Sequence, residues 1–259
     1  MRVIDKLTMP GNKINEDIIW YNEVCAVLLD GSTGLSGATY NAVDFVEAFV
    51  NSFSKSIIAD NLRDAFNSTI DELCELFSSE QEDSWYIPPS AAGVIVYDCG
   101  DYLKLICYGD CSALLFYNNN YCHITSNDIE LFDNSVIDQM IKIRNQSGAD
   151  ISEIIKKEEI KKKLIENRKK MNKKDGYKVI APNSCYIVDD DIIEISKKSL
   201  NKCILYSDGF KLVESELIKG NCKLKSLYKM LRVKEDSDPC LNSYPRFFLN
   251  QICLYYISS

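Results

Sequence analysis

The apolar residues of this chain fall into short continuous runs and into stripes with helical spacing. The runs at residues 24–29, 103–108 and 203–206 are each followed, within three residues, by an acid next to a glycine. Runs of this length bounded by glycine predict buried strands. An Asp-Gly pair alone is also typical of an ordinary turn. The recurrence is therefore the informative feature, because three strand ends each carry a carboxylate: Asp30, Asp110 and Asp208.

Apolar stripes at i, i+3, i+4 and i+7 predict amphipathic helices at residues 42–53 and 60–77. Strands at 91–97, 102–108, 113–117 and 121–125, joined by short turns, predict an antiparallel meander. Further helices are predicted at 135–144, 151–171, 192–200 and 224–231, and a last strand at 252–257. This order predicts an α+β fold and a single domain over residues 1–259, with a Lys/Glu-rich helical insertion at about 130–175.

The charge run at residues 156–174 has two interpretations. It is typical of a solvated helix face followed by a connector. It is also compatible with a lid or a ligand-binding patch. The sequence does not decide between them.

Composition narrows the function classes. A net charge of −8 disfavours nucleic acid and an anionic membrane as partners. Eleven cysteines without a CxxC pair, and an N-terminus without a signal peptide, predict a cytoplasmic protein whose thiols are mostly buried apolar residues. His123 is the only histidine, which disfavours zinc sites and Ser-His-Asp mechanisms.

Carboxylates at several strand ends suit a different chemistry. Mg²⁺ and Mn²⁺ prefer oxygen ligands, and two such ions roughly 4 Å apart can activate a water and stabilise charge on a phosphoryl group. Two further acids, Glu16 and Asp17, lie one predicted hairpin away from Asp30 and could face it. The sequence therefore favours metal-assisted hydrolysis over other hydrolytic schemes.

The ordered motifs of this chain resemble the metal-dependent type 2C protein serine/threonine phosphatases, in particular a bacterial branch with DGSTGL at the first site. The residues that carry the resemblance are 15–17, 30–35, Pro89-Ser90, Gly109-Asp110, Gly176-Tyr177, 207–209 and 244–246. The resemblance implies a four-layer αββα fold, an antiparallel β-sandwich flanked by helices. It also implies hydrolysis of phosphoserine or phosphothreonine in a phosphoprotein, by a water activated between two Mn²⁺ or Mg²⁺ ions, with a possible third ion.

The resemblance assigns a role to each motif residue. Asp30 would bridge both metals, and the Gly31 carbonyl would bind one of them. Asp208 would bind the other, whereas Asp110 would belong to the accessory third position. Glu16 and Asp17 would hold metal-bound waters.

The chain departs from the family pattern at the position that binds the substrate phosphate and at the position of the last metal ligand. Where many members have a phosphate-binding arginine, this chain has Asn12, with Lys13 beside it as a point charge. Where the family has an acidic pair before its final strand, this chain has Asn250 and Gln251, so one anionic ligand becomes a neutral amide oxygen. Three functions therefore stay open: a working Mg²⁺- or Mn²⁺-dependent phosphoprotein phosphatase, a degenerate phosphatase-like domain that binds a phosphoprotein or partner, and a structural domain whose acids are turn residues.

Overall fold

A computed structural model of the chain describes residues 2–9, 14–35, 40–59, 61–77, 86–118, 120–126, 128–149, 151–182, 186–219, 223–237 and 252–258. Within these residues, ten strands form two five-stranded antiparallel sheets. The strands are β1 Arg2–Met9, β2 Asp17–Tyr21, β3 Cys25–Ser32, β4 Ser90–Asp98, β5 Tyr102–Tyr108, β6 Ser112–Tyr117, β7 Tyr121–Thr125, β8 Ile193–Ser196, β9 Leu200–Tyr206 and β10 Ile252–Ser258. One sheet has the order β2-β3-β4-β5-β8, and the other has the order β1-β10-β9-β6-β7.

Some helices pack on the outer faces of the two sheets, and the others belong to the part of the sequence between β7 and β8. They are α1 Ala42–Ala59, α2 Leu62–Leu76, α3 Asp128–Ser147, α4 Ile151–Ile154, α5 Glu158–Arg168, α6 Glu214–Lys219 and α7 Leu224–Ser237. Among the described residues, no helix is both long enough and apolar enough to span a membrane. That the whole chain is one domain with an insertion stays a prediction.

The alternation of side chains along β3 explains the layers. Val27 and Leu29 belong to an apolar cluster with α1 and α2, whereas Ala26 and Leu28 belong to a cluster between the two sheets. Successive strand residues point to opposite faces, so each run buries both sides of its sheet. A third cluster packs the other sheet against α6 and α7. This confirms the predicted αββα sandwich.

Two predictions about the strands and helices are wrong. The predicted meander is interrupted, because β5 pairs with β4 and β8, whereas β6 pairs with β7 and β9 in the other sheet. The chain crosses between sheets at Gly109, whose φ of +71° is the left-handed conformation that glycine adopts readily. Residues 192–200 are not helical either, since β8 pairs with β5 there and the preceding 3₁₀ turn Asp189–Asp191 caps no α-helix. The alternation of Ile193 and Ile195 with polar residues fits this edge strand.

The cysteines follow the prediction in part. The side chains of seven cysteines are described, and all seven are free thiols. Cys25, Cys111 and Cys203 are buried, whereas Cys122 is exposed on β7 and the other three are half-buried.

Candidate functional site

The hairpin between β2 and β3 places Asp17 directly opposite Asp30 in the strand register. The turn is held by Asn22, whose side-chain oxygen accepts hydrogen bonds from the backbone N–H groups of Val24, at 2.9 Å, and Cys25, at 2.7 Å. An asparagine that bonds the backbone two and three residues ahead is a common turn device. Because a hairpin's turn sets its register, this local contact aligns the two carboxylates.

Both acids lie on the face of their sheet that looks toward the other sheet. Asp30 continues the alternation of Ala26 and Leu28, which pack between the sheets, and its cross-strand partner shares that face. Asp17 is only 7% exposed. Neither of its side-chain oxygens has a hydrogen-bond donor among the described residues when both groups are ionised. The facing group is the Asp30 carboxyl, close enough to share a proton with it.

The pKa values show that other acids share this position. Burial raises the pKa of Asp17 to about 8; the shared hydrogen bond with Asp30 opposes this change, and repulsion from Asp208, Glu16 and Asp110 adds to it. Burial also raises the pKa of Asp30 well above its usual range, followed by repulsion from Asp17, Asp208 and Asp110. Like charges disfavour ionisation only when they are near. The structure therefore brings these five predicted residues to one edge of the sandwich.

Asp110 and Asp208 reach this edge by different routes. Asp110 follows the glycine at which the chain crosses from β5 to β6, and Asp208 begins the 3₁₀ turn Asp208–Val213 after β9. The two strand ends belong to different sheets. Asp208 thus approaches the β2–β3 hairpin from the opposite sheet, whereas Asp110 approaches it from the end of β5 in the same sheet.

Gly31 is required by packing. Its N–H donates to the Glu16 carbonyl oxygen at 3.1 Å. A Cβ at this position would lie 2.4 Å from that same oxygen and 3.0 Å from the Ala42 Cβ. The first distance is too short for any side chain, so Gly31 allows the backbone next to Glu16 to approach β3 and α1.

Thr33 and Arg168 are functional candidates that the sequence did not reveal. The Thr33 hydroxyl donates to the Glu16 carboxylate and accepts from the Ala42 N–H, at 3.2 Å, where α1 begins. Arg168, at the end of α5, donates to the Thr33 carbonyl at 2.8 Å and to the Ser32 hydroxyl. It lies 135 positions further along the chain than Thr33, so no local pattern could have identified it.

The surroundings of Arg168 change the pKa of its guanidinium in two opposite directions. Burial lowers the pKa of its guanidinium, and the nearby acids Asp133 and Glu16 act in the opposite direction. Arginine remains charged in proteins despite such changes. A guanidinium that contacts the Ser32 hydroxyl and the Thr33 carbonyl therefore places a fixed positive charge beside the acidic cluster.

The donor set fits a hard divalent cation. Orphaned carboxylate oxygens in a crowded acidic site are expected where an ion compensates the charge, and oxygen donors suit Mg²⁺ and Mn²⁺. Within the described part of the chain, no three His, Cys, Asp or Glu side chains are arranged to ligate one ion directly.

Three of the predicted site residues lie outside the described residues. They are Asn12 and Lys13, the expected phosphate ligands, and Asn250, the expected last metal ligand. The strand that Asn250 precedes is described: a last strand is present where the sequence predicts one, and it pairs with β1 and β9.

Solved structures provide an independent comparison of the fold. No protein-family model and no curated protein matches the sequence. The serine/threonine phosphatase Stp1 from Staphylococcus aureus superposes with a TM-score of 0.57 at 14% identity, over 100% of this chain and 96% of that chain. The phosphatase MsPP from Mycobacterium smegmatis, in complex with cacodylate, gives a TM-score of 0.54 at 12% identity, over 100% and 99% of the two chains.

A third structure contains metal. The catalytic domain of the serine/threonine phosphatase PstP, in complex with 2 manganese ions, gives a TM-score of 0.53 at 13% identity, over 97% of this chain and 95% of that chain. These similarities cover nearly the whole of each chain. At identities this low, they show a shared fold. The chain therefore shares the fold of these serine/threonine phosphatases.

Proposed function

We propose that the chain is a divalent-cation-dependent phosphatase that hydrolyses phosphoserine or phosphothreonine in proteins. The observation that carries the proposal is the acidic cluster on a phosphatase fold, in which Asp17 faces Asp30. Asp208 and Asp110 repel both members of this pair, and Glu16 repels Asp17. Ions bound there would supply Lewis acidity toward the phosphoryl group and an activated water.

Each residue of the acidic cluster is proposed to have its own role. Asp30 and Asp208, with the Gly31 carbonyl, are proposed to hold two Mn²⁺ or Mg²⁺ ions, and Asp110 a third. Glu16 and Asp17 are proposed to orient water at the cluster by accepting hydrogen bonds. The Thr33 hydroxyl, which donates to Glu16, would keep that carboxylate in position.

Positive charge at the substrate side is also part of the proposal. Asn12 and Lys13 are proposed to contact the substrate phosphate, with Lys13 as the cation. Asn250 is proposed to occupy the last metal position as a neutral ligand, which would weaken binding of that ion relative to an aspartate.

The alternative is a phosphatase-like domain that binds a phosphoprotein or partner without turnover. Asn12 and Asn250 favour it, because each removes a charged group that the family pattern supplies. The buried Asp17–Asp30 pair supports a bound cation, which the enzyme requires, since two facing carboxylates are costly to keep in a metal-free fold.

Turnover measurements distinguish the two. Purified protein is assayed on p-nitrophenyl phosphate and on a phosphothreonine peptide with Mn²⁺, with Mg²⁺ and with EDTA. Phosphate release is expected with the metals, and Asp30→Asn should abolish it, whereas the exposed Asp101→Asn should behave as wild type. Calorimetry of Mn²⁺ binding is run in parallel: binding without turnover would reject catalysis, and neither binding nor turnover would reject the metal site.

A further inference from the structure

The segment 151–178 has a charge opposite to that of the rest of the chain. It contains eleven Lys or Arg residues and five Asp or Glu residues, a net charge of +6 in a chain that carries −8 overall. Acidic and basic groups are thus segregated within one molecule. Segregated charge of this kind steers a ligand of opposite sign toward one surface.

We call residues 169–175, after α5, the basic loop. The residues on both sides of this loop form hydrogen bonds with segments of the candidate site. On one side, Arg168 contacts the Ser32 hydroxyl and the Thr33 carbonyl, directly after Asp30 and Gly31. On the other side, the Gly109 N–H donates to the Lys178 carbonyl at 2.9 Å, directly before Asp110. The loop therefore borders the acidic cluster and does not lie on a remote surface.

The basic loop has a fixed conformation. Met171 is buried, and Asn172 adopts φ of +56°, a left-handed conformation that asparagine tolerates. The Asn172 N–H donates to the Tyr177 carbonyl at 2.8 Å. A Cβ on Gly176 would lie 1.8 Å from the Lys170 carbonyl oxygen, so only glycine permits this closure. Lysines on a pre-shaped loop lose less entropy when a ligand binds.

The basic loop carries four lysines and one aspartate, a net charge of +3. Lys170 forms an ion pair with Asp175. Lys169, Lys173 and Lys174 are exposed. The loop thus presents more positive than negative charge next to the site.

We infer that the basic loop binds acidic residues that flank the phosphorylated residue of a protein substrate. The inference rests on the proposed function and deepens it, because it names the sequence context that the site prefers. A peptide with its phosphoryl group at the acidic cluster would lie beside the loop, because the residues that flank the loop contact Ser32, Thr33 and Gly109. A nucleic acid is disfavoured as the occupant, because the remainder of the chain carries a net charge of −14 and would repel a long polyanion.

The test compares phosphothreonine peptides with one common core and with glutamate, alanine or lysine at the flanking positions. Phosphate release with Mn²⁺ gives kcat/KM for each peptide, and fluorescence anisotropy with Mn²⁺ gives the affinity. The proteins are wild type, Lys173→Glu/Lys174→Glu, and the control Lys225→Glu/Lys229→Glu, which makes the same charge change at exposed positions on α7.

We expect wild type and the control to prefer the glutamate peptide to the alanine peptide by about tenfold, and the loop variant to lose or invert that ratio. The wild-type preference should shrink as ionic strength rises. An equal ratio in wild type and the loop variant would overturn the inference while leaving the phosphatase proposal intact.

Failure of the proposed function gives a different pattern. If wild type releases no phosphate from any peptide or from p-nitrophenyl phosphate, catalysis is rejected, and the anisotropy ratios alone decide the inference in the same way. A duplex oligonucleotide that displaces the glutamate peptide from wild type, but binds the loop variant more weakly, would reassign the loop to nucleic acid and overturn the inference.

Discussion

Replacing Asp17 by asparagine should stabilise the chain when no metal is bound. The Asp17 carboxyl is 7% exposed and faces Asp30, and burial together with repulsion raises its pKa from the ordinary 3.8 to about 8. A folded state that holds a proton the unfolded state has released becomes less stable as pH rises between these two values. The stability cost of this group is therefore absent below pH 3.8 and complete above pH 8.

The magnitude follows from the pH interval. Each unit of pH between the unfolded and folded pKa values costs about 1.36 kcal/mol, so at pH 7 the cost approaches about 4 kcal/mol. An asparagine keeps the volume but introduces an amide whose oxygen needs a donor, which offsets roughly half of the gain. We expect Asp17→Asn to be more stable than wild type by about 2 kcal/mol in EDTA at pH 7.5, or about 4–8 °C in Tm.

The assay is urea denaturation in EDTA at pH 5.0, 6.5 and 8.0, with Asp101→Asn as the control for loss of one exposed carboxylate. Wild type and the control should lose stability as pH rises, and Asp17→Asn should lose much less. Saturating Mn²⁺ should reduce the advantage of the variant, because an ion at 100 times its Kd stabilises the wild-type fold by about 2.7 kcal/mol. A variant that is no more stable than wild type in EDTA at pH 8.0 would refute the crowding of carboxylates.

Three further changes test other parts of the site. Gly31→Ala should destabilise the fold by about 1–3 kcal/mol in urea denaturation, because its Cβ would lie 2.4 Å from the Glu16 carbonyl; unchanged stability would mean that the backbone there yields freely. Arg168→Lys cannot reproduce the two hydrogen bonds to the Ser32 hydroxyl and the Thr33 carbonyl. We therefore expect kcat on a phosphothreonine peptide to fall by about tenfold, with KM reported separately. Asn250→Asp should tighten Mn²⁺ binding in calorimetry and raise turnover, because it adds an anionic ligand; no change in either would show that Asn250 is not at the metal position.

Local patterns in the sequence were sufficient for several features of the site. Apolar runs ending in an acid beside glycine predicted strands that end near Asp30, Asp110 and Asp208, and the structure places strands β3, β5 and β9 there. The hairpin before Asp30 was also predictable, because the turn at Asn22 is encoded by neighbouring residues. Periodicity and turn chemistry act over a few residues, so one sequence reveals them.

Other features depended on contacts between distant residues. Whether β6 continues the sheet of β5 or crosses to the other sheet is decided by how the two sheets pack, and the short turn between them is compatible with both. Residues 192–200 carry apolar residues that suit a helix or an edge strand, and pairing with β5 selected the strand. Arg168 reaches Ser32 across more than a hundred positions, and such a contact leaves no periodic signal.

The sequence alone therefore determined which groups could do chemistry: the carboxylates, their strand ends and the absence of a second histidine. The tertiary structure decided that Asp17 and Asp30 share one face, that Asp208 and Asp110 approach them from two sheets, and that a basic loop borders them. The physical reason is that residue type and local spacing set the ionic chemistry and the strand ends. Convergence is set by sheet packing, whose energy is distributed over apolar contacts far apart in the chain.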